Sequence, residues 1–247
     1  QFGKQAQFYS ESAVHSSGES LESVVKFVSR KRYKFGVDIG TGTGFTAFAA
    51  APYVRYIIAS DITPAMLSEA QRLAKTRNLN NLNYILAAAE KLPFLDDSLE
   101  LVTCRTAAHH FLDINVSIKE WYRVLSREGV LILADTISPE NPEITDWMNH
   151  VELIRDPSHK RDLTKTEWIE LIQSNGFSIT DLEVTGVPME FEDWVRRSGT
   201  QEKEIDYLED LFINASSDIK KSFKITGLNR LNIFFQWECI VIRAERL

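Results

Sequence analysis

Apolar residues recur along this chain at two spacings. Over residues 20–32 they fall at Leu21, Val24, Val25 and Val28, which puts them on one face of a helix. Residues 34–40 form a short apolar run that ends in glycines, and this reads as a strand. An alanine-rich helix over 45–51 stops at Pro52, and 53–60 is a second strand. Thr63 precedes Pro64 as an N-cap precedes a first helical residue, so a helix is predicted from there to about residue 77. Strands follow over 82–86 and 99–104, then a helix over 115–125 and a strand over 129–136. This alternation predicts a parallel sheet covered by helices on both faces.

Past residue 138 the rhythm changes. Helices are predicted over 144–155 and 166–175, the second ended by Gly176. A strand over 177–184 precedes amphipathic helices over 189–197 and 201–217. The last run, 232–242, is rich in aromatic and β-branched residues, and a strand this late is expected to add antiparallel at or near an edge.

Composition narrows the class. With 247 residues, 44% hydrophobic and 26% charged, the chain suits one α/β domain with a real core. A net charge of −7 argues against a nucleic-acid binder, which needs clustered Lys and Arg. The one basic run, Arg30-Lys31-Arg32, reads as a solvated helix end. Cys104 and Cys239 sit in apolar segments without metal-ligand spacing, so both are expected to be buried reduced thiols and no metal is expected. No apolar run approaches the ~20 residues of a membrane span. The polar start, QFGKQAQFYS, does not look like a signal peptide, which makes the cytoplasm the expected location.

The sharpest local signal is Asp38-Ile39-Gly40-Thr41-Gly42-Thr43-Gly44, between a strand and a helix. Glycines allow a tight turn and close approach to a ligand, and this turn lies where open parallel sheets bind ligands. Dinucleotide loops space their glycines as G-x-G-x-x-G, whereas here they alternate. Asp38 would repel a pyrophosphate but suits a cation, such as the ammonium and sulfonium of S-adenosylmethionine. Asp61 ends the second strand at the position from which a carboxylate accepts ribose hydroxyls.

These segments resemble a known family. VDIGTGTGFTAFAAA, ASDITPAMLSEAQ, AAAEKLPF and EWYRVLSREGVLILAD are similar, in order, to the successive motifs of class I methyltransferases, nearest the group typified by ubiquinone/menaquinone-biosynthesis C-methyltransferases. The opening FGKQAQFY is similar to that group's N-terminal arm. The resemblance implies a Rossmann-like α/β fold with a seven-stranded, mostly parallel sheet, the last strand antiparallel, and helical cap insertions. It implies that Asp38, Gly40, Thr41, Gly42 and Gly44 surround the methionine part and ribose of S-adenosylmethionine, with Asp61 on the ribose. Ile62 and Met66 would flank the adenine, Ala89 and Glu90 its edge, and Arg105 would lie near the cofactor. Two positions depart from the pattern. Ala88 stands where many relatives have Asp, so no side chain there can bond the adenine. Ser126-Arg127-Glu128-Gly129 replaces the usual Lys-Pro-Gly-Gly turn. The domain then divides into an arm and helix (1–33), a cofactor core (34–137) and substrate-cap segments (138–165 and 186–228).

Methyl transfer needs alignment and water exclusion, with a base only where the acceptor must lose a proton. His109 and His110 follow the fourth strand; His110 is the catalytic candidate there and His109 a substrate contact. A second cluster, Glu152, Arg155, Asp156 and His159, adds His159 as a catalytic candidate and the other three as substrate contacts. The same run also reads as an internal Arg155–Asp156 pair with a Pro157-Ser158 turn. The tryptophans read as core; Trp147, beside Met148, is the exception placed on the substrate. Tyr9, with Phe2, is expected to close over the site from the arm. The expected function is methyl transfer to a small-molecule acceptor, quinone-like or aromatic, at O, N or C. The alternatives are a non-catalytic binding module of this fold and a nicotinamide-dependent dehydrogenase.

Overall fold

The structure, a computed structural model, describes residues 18–247, so Phe2 and Tyr9 lie outside the described residues. The first half runs α1 (Glu19–Val28), β1 (Tyr33–Ile39), α2 (Phe45–Ala50), β2 (Val54–Asp61), α3 (Pro64–Thr76), β3 (Leu82–Leu86), β4 (Leu99–Arg105), α4 (Ile114–Val124) and β5 (Leu125–Ile137). The second half runs α5 (Pro142–Arg155), α6 (Lys165–Ser174), β6 (Phe177–Glu190), α7 (Phe191–Ser198), α8 (Glu202–Ile213), α9 (Ser217–Ser222) and β7 (Phe234–Arg246). The strands make one sheet in the order β3-β2-β1-β4-β5-β7-β6. Strands β1 to β5 pair in parallel, and β7 pairs antiparallel with both β5 and β6. This is the expected Rossmann-like sheet.

Side-chain alternation along the strands builds a core on each face. On β5, Leu131 and Leu133 face one core, with Trp121 of α4 and Trp168 of α6. Val130, Ile132 and Ala134 face the other, with Val24 and Phe27 of α1 and Ala47 of α2. A third cluster joins α5, α7 and α8 to the β7 aromatics Phe235 and Trp237, and this is the helical cap. Cys104 and Cys239 are buried free thiols. No helix among the described residues is long and apolar enough to cross a membrane.

Strand β5 starts at Leu125, through the expected 126–129 turn, and three further elements differ from their predicted extents. Strand β6 continues to Glu190, in register with Phe234 of β7, so residues 186–190 of the expected cap are sheet. Gly186 and Pro188 hide this strand in the sequence, and Pro188 is tolerated because β6 is the sheet edge. Strand β7 runs to Arg246 because it has a partner on each side. The helix expected over 201–217 ends at Ile213, and a further helix, α9, starts at Ser217, where Ser216 Oγ caps it by accepting from Ile219 N–H.

Candidate active site

The site forms at the carboxyl ends of β1, β2 and β4, where the strand order reverses between β1 and β4. Gly40, Gly42 and Gly44 all have positive φ, which glycine adopts without strain. A methyl group on Gly40 would stand 2.5 Å from Ala107 Cβ, so this glycine lets the loops after β1 and β4 meet. A methyl on Gly44 would stand 2.5 Å from Phe48 Cζ, so Gly44 serves helix packing. A methyl on Gly42 would meet nothing within 4 Å, because this residue faces an open cleft.

Asp61 braces the loop from β2. Its Oδ2 accepts Gly42 N–H at 2.9 Å and its Oδ1 accepts Thr63 N–H at 2.8 Å. Burial raises its pKa, against the two backbone bonds. Thr63 holds the N-cap position of α3 without a side-chain cap bond, so Asp61 serves that helix end instead.

The cleft has a volume of about 270 Å³. Gly40, Thr41, Gly42, Asp61, Ile62, Met66, Ala89, Glu90 and Arg105 of the expected cofactor set line it. Asp38 and Gly44 do not. Asp38 is buried behind the loop, where Thr41 and Thr103 hydroxyls donate to its carboxylate at 2.6 and 2.7 Å. Burial pushes it up to about 6. Asp38 thus shapes the loop from beneath and does not face the cleft. Ala89 is fixed by the buried Trp121, whose indole N–H donates to Ala89 O at 3.2 Å.

A second cavity, of about 340 Å³, opens beside the first. Glu152, Arg155, His159 and Asp162 line it together with Val187, Pro188 and Met189 of β6. Trp194 and Trp237 lie behind Glu152, each donating an indole N–H to its Oε1. The two cavities share Arg105, Thr106, His109 and Arg155 as walls. Thr106 adopts φ 54, an unusual conformation for a β-branched residue, held by its N–H bond to Ala134 O.

His109 anchors this junction. Its Nδ1 lies 2.6 Å from Asp135 Oδ1, and its backbone N–H donates to Oδ2 at 2.9 Å. Burial opposes a charge on the ring, but the Asp135 carboxylate overrides it and lifts the pKa to about 9. His109 O accepts Lys160 N–H, tying the junction to the loop after α5.

His110 and His159 are neutral by contrast. Burial and the neighbouring His109 charge lower His110 to about 3 and His159 to about 4. Ser158 Oγ donates to Asp156 at 2.6 Å and lies 3.3 Å from His110 Nδ1. Asn149 Nδ2 donates to two carbonyls, so its Oδ1 accepts from His159 Nε2–H, leaving the His159 lone pair on Nδ1.

Two placements differ from the sequence reading. Arg155 pairs with Glu152 at 2.9 Å rather than with Asp156, because one helical turn brings Glu152 alongside; the Pro157-Ser158 turn forms on Asp156 as expected. Trp147 lines neither cavity. Its ring packs on Phe212, Phe223 and Trp237 in the cap core, since neighbouring apolar residues of α8 and β7 cover that face of α5. Thr106, Asp162, Arg197 and residues 186–189 also line the cavities and were not singled out in the sequence. Thr106 and Asp162 stand within three residues of singled-out neighbours, the one available signal.

A Rossmann-like sheet with a glycine loop facing a cleft, and an acid at the end of β2, defines a nucleotide-cofactor enzyme. A family model described as a methyltransferase domain matches residues 37–133. The chain is 34% identical over 244 residues to the uncharacterized methyltransferase YcgJ of Bacillus subtilis, covering 98% of this chain and 96% of YcgJ. The crystal structure of YcgJ superposes with a TM-score of 0.87 at 33% identity, over 92% of this chain and 97% of that one. A solved Bacillus halodurans protein gives a TM-score of 0.88 at 31% identity, over 93% and 99%. The ubiquinone/menaquinone-biosynthesis C-methyltransferase UbiE of Rickettsia typhi is 36% identical over 103 residues, 39% of this chain and 42% of UbiE. This chain belongs to the class I S-adenosylmethionine-dependent methyltransferases. It is a methyltransferase, not a dehydrogenase.

Proposed function

We propose that this enzyme methylates a small molecule held in the second cavity, with S-adenosylmethionine in the first. The observation that carries this reading is the common wall of Arg105, Thr106, His109 and Arg155, through which the two cavities adjoin. S-adenosylmethionine supplies a methyl already activated on a sulfonium, so the chain's task is to bind, align and exclude water.

The residues fit that cofactor. Asp61 retains lone pairs beyond its two backbone bonds for ribose hydroxyls, and Gly42 leaves room for a close approach. Ile62 and Met66 offer apolar faces to the adenine, with Ala89 and Glu90 at its edge. Asp38 acts through Thr41 rather than by contact. In the second cavity Glu152, Arg155 and His159 present polar groups to the acceptor, while Asp156 orients Ser158 and, through it, His110. His109, charged against Asp135 and placed at the junction, is the group we assign to hold an acceptor oxygen. If the acceptor loses a proton, His159, through Nδ1, or the His110 ring is the neutral imidazole beside it that receives it. The partial likeness to UbiE supports a conjugated, quinone-like body for the acceptor.

The test is methyl transfer from labelled S-adenosylmethionine to a panel of phenols, hydroquinones, enols, amines and carboxylates. Labelled product from the oxygen-rich aromatic members is expected. Transfer only to amines would overturn the acceptor class.

The two glycines separate packing from binding. Gly44→Ala overpacks Phe48 and Ala70 at a positive φ, and is expected to lower stability by about 2–4 kcal/mol. Gly42→Ala meets no protein atom, so only its φ of +54 adds strain, about 1–2 kcal/mol. Yet its methyl projects into the cleft, and S-adenosylmethionine affinity is expected to fall by tenfold or more. Thermal unfolding and calorimetric titration of both variants read the two effects separately.

A further inference from the structure

The second cavity contains one carboxyl group that the fold does not use. Asp162 lines it with a side chain only 2% exposed, and Oδ1 has no hydrogen-bond partner among the described residues. The backbone on either side is fully committed: Asp162 N–H donates to Asn149 Oδ1 at 2.7 Å, and Asp162 O accepts from Ser138 Oγ and Asn149 Nδ2. The residue is therefore pinned in place while its carboxyl stays unsatisfied. A buried polar atom without a partner is destabilising, and proteins retain one where a ligand completes it.

The cations nearby are engaged elsewhere. Arg155 is held by Glu152 at 2.9 Å and His109 by Asp135 at 2.6 Å. His159 Nε2 is 3.9 Å from Asp162 Oδ2 and already donates to Asn149 at 3.0 Å. Arg197 meets Asp193 at 2.9 Å, and Arg105 donates to Thr46 at 3.0 Å. A carboxylate here would be a buried charge without a close counter-ion. Glu19 at the mouth adds no positive charge, and burial pushes the Cys239 thiol up to about 12, so it too stays neutral. Burial raises Asp162 to about 8; Glu152 and Asp135 add to this and His109 and Arg155 oppose it.

We propose that Asp162 is an acceptor-recognition residue, donating a hydrogen bond as the neutral acid to an oxygen of an apolar acceptor. The inference rests on the reading that the second cavity holds the acceptor. The apolar body follows from the Val187, Pro188 and Met189 segment of β6, which lines the same cavity. The oxygen follows from what Asp162 lacks: a neutral carboxyl donates one O–H, and a carbonyl or phenolic oxygen is the partner it requires.

The test uses 1-tetralone and tetralin, bicyclic probes that differ only by a carbonyl, titrated into full-length protein saturated with S-adenosylhomocysteine. Wild type is expected to bind tetralone at least tenfold more tightly than tetralin at pH 7, and to lose that preference as pH rises through about 8. Asp162→Asn keeps the shape and an N–H donor, so it should stay within about threefold of wild type at pH 7 without the alkaline loss. Asp162→Ala should lose at least threefold of the tetralone preference at pH 7, any remainder resting on His109, and should show no loss of preference around pH 8. Both variants should keep wild-type affinity for S-adenosylhomocysteine, which reports an intact fold. If Asp162→Asn fails as Asp162→Ala does, the group acts as a carboxylate and the proposal is overturned. If wild type binds both probes equally, Asp162 does not recognise the oxygen, although the cavity still takes acceptor-like molecules. If wild type binds neither, the assignment of the cavity to the acceptor fails, and the proposal with it.

Discussion

Asp61→Ala is expected to lower the affinity for S-adenosylmethionine by about 100-fold or more. In the proposed cofactor pose the carboxylate accepts two ribose hydroxyls, and charged hydrogen bonds of this kind contribute ~1.5–3 kcal/mol each, with ~1.4 kcal/mol per tenfold in affinity. The same side chain accepts Gly42 N–H at 2.9 Å and Thr63 N–H at 2.8 Å. Its loss therefore also leaves the glycine loop and the start of α3 without their brace. Asp61→Asn keeps one accepting oxygen and is expected to fall between wild type and alanine. Calorimetry with S-adenosylmethionine measures this directly. An alanine variant within threefold of wild type would remove the ribose assignment, and with it the orientation of the cofactor in the cleft.

The second large effect concerns His109 and the pH dependence of stability. Its folded pKa of about 9 lies above the ordinary 6.5, because Asp135 outweighs burial. A raised histidine stabilises the fold fully below the unfolded value and loses that contribution as pH rises through the folded one. The window is therefore about pH 6.5 to 9. At ~1.4 kcal/mol per pH unit, the pair contributes at most about 3.5 kcal/mol. In His109→Gln this alkaline decline should be absent, because glutamine can bond Asp135 but does not titrate. Urea unfolding of wild type and variant at pH 6, 7.5 and 9 measures the difference, which should shrink as pH rises. A constant difference would mean that the pair is not charged. His110 and His159 act in the opposite sense. Their folded values are lowered by burial and by the His109 charge, so their contribution is lost as pH falls below 6.5.

The first cavity was readable because it is assembled in chain order. Gly40, Gly42, Asp61, Ile62, Met66, Ala89, Glu90 and Arg105 stand at the ends of consecutive strands β1, β2, β3 and β4 or just beyond them. A parallel sheet gathers these ends on one edge. The same regularity does not separate Asp38 and Gly44, which do not line this cavity, from the residues that do. A sequence position beside a glycine loop does not say whether a side chain faces the ligand or the protein behind it. Asp38 points back to Thr41 and Thr103, and Gly44 opens space for Phe48. Trp147 illustrates the converse. Its spacing left it free for a substrate, but Phe212 and Phe223, more than sixty residues later, cover it.

The sequence by itself determined the alternating sheet, the glycine turn and the acid at the end of β2, and the motifs on them resembled those of class I methyltransferases. The first three depend on local periodicity, backbone freedom or strand-end position, which neighbouring residues dictate. Only the tertiary structure decided the second cavity. Its walls come from β4, α5, the loop after α5, β6, α7 and β7, joined by the antiparallel pairing of β7 between β5 and β6. The charge on His109, the neutrality of His110 and His159, and the unsatisfied carboxyl of Asp162 were decided there too. A side chain's protonation follows from which charges and how much water surround it, and those neighbours are chosen by packing between distant segments.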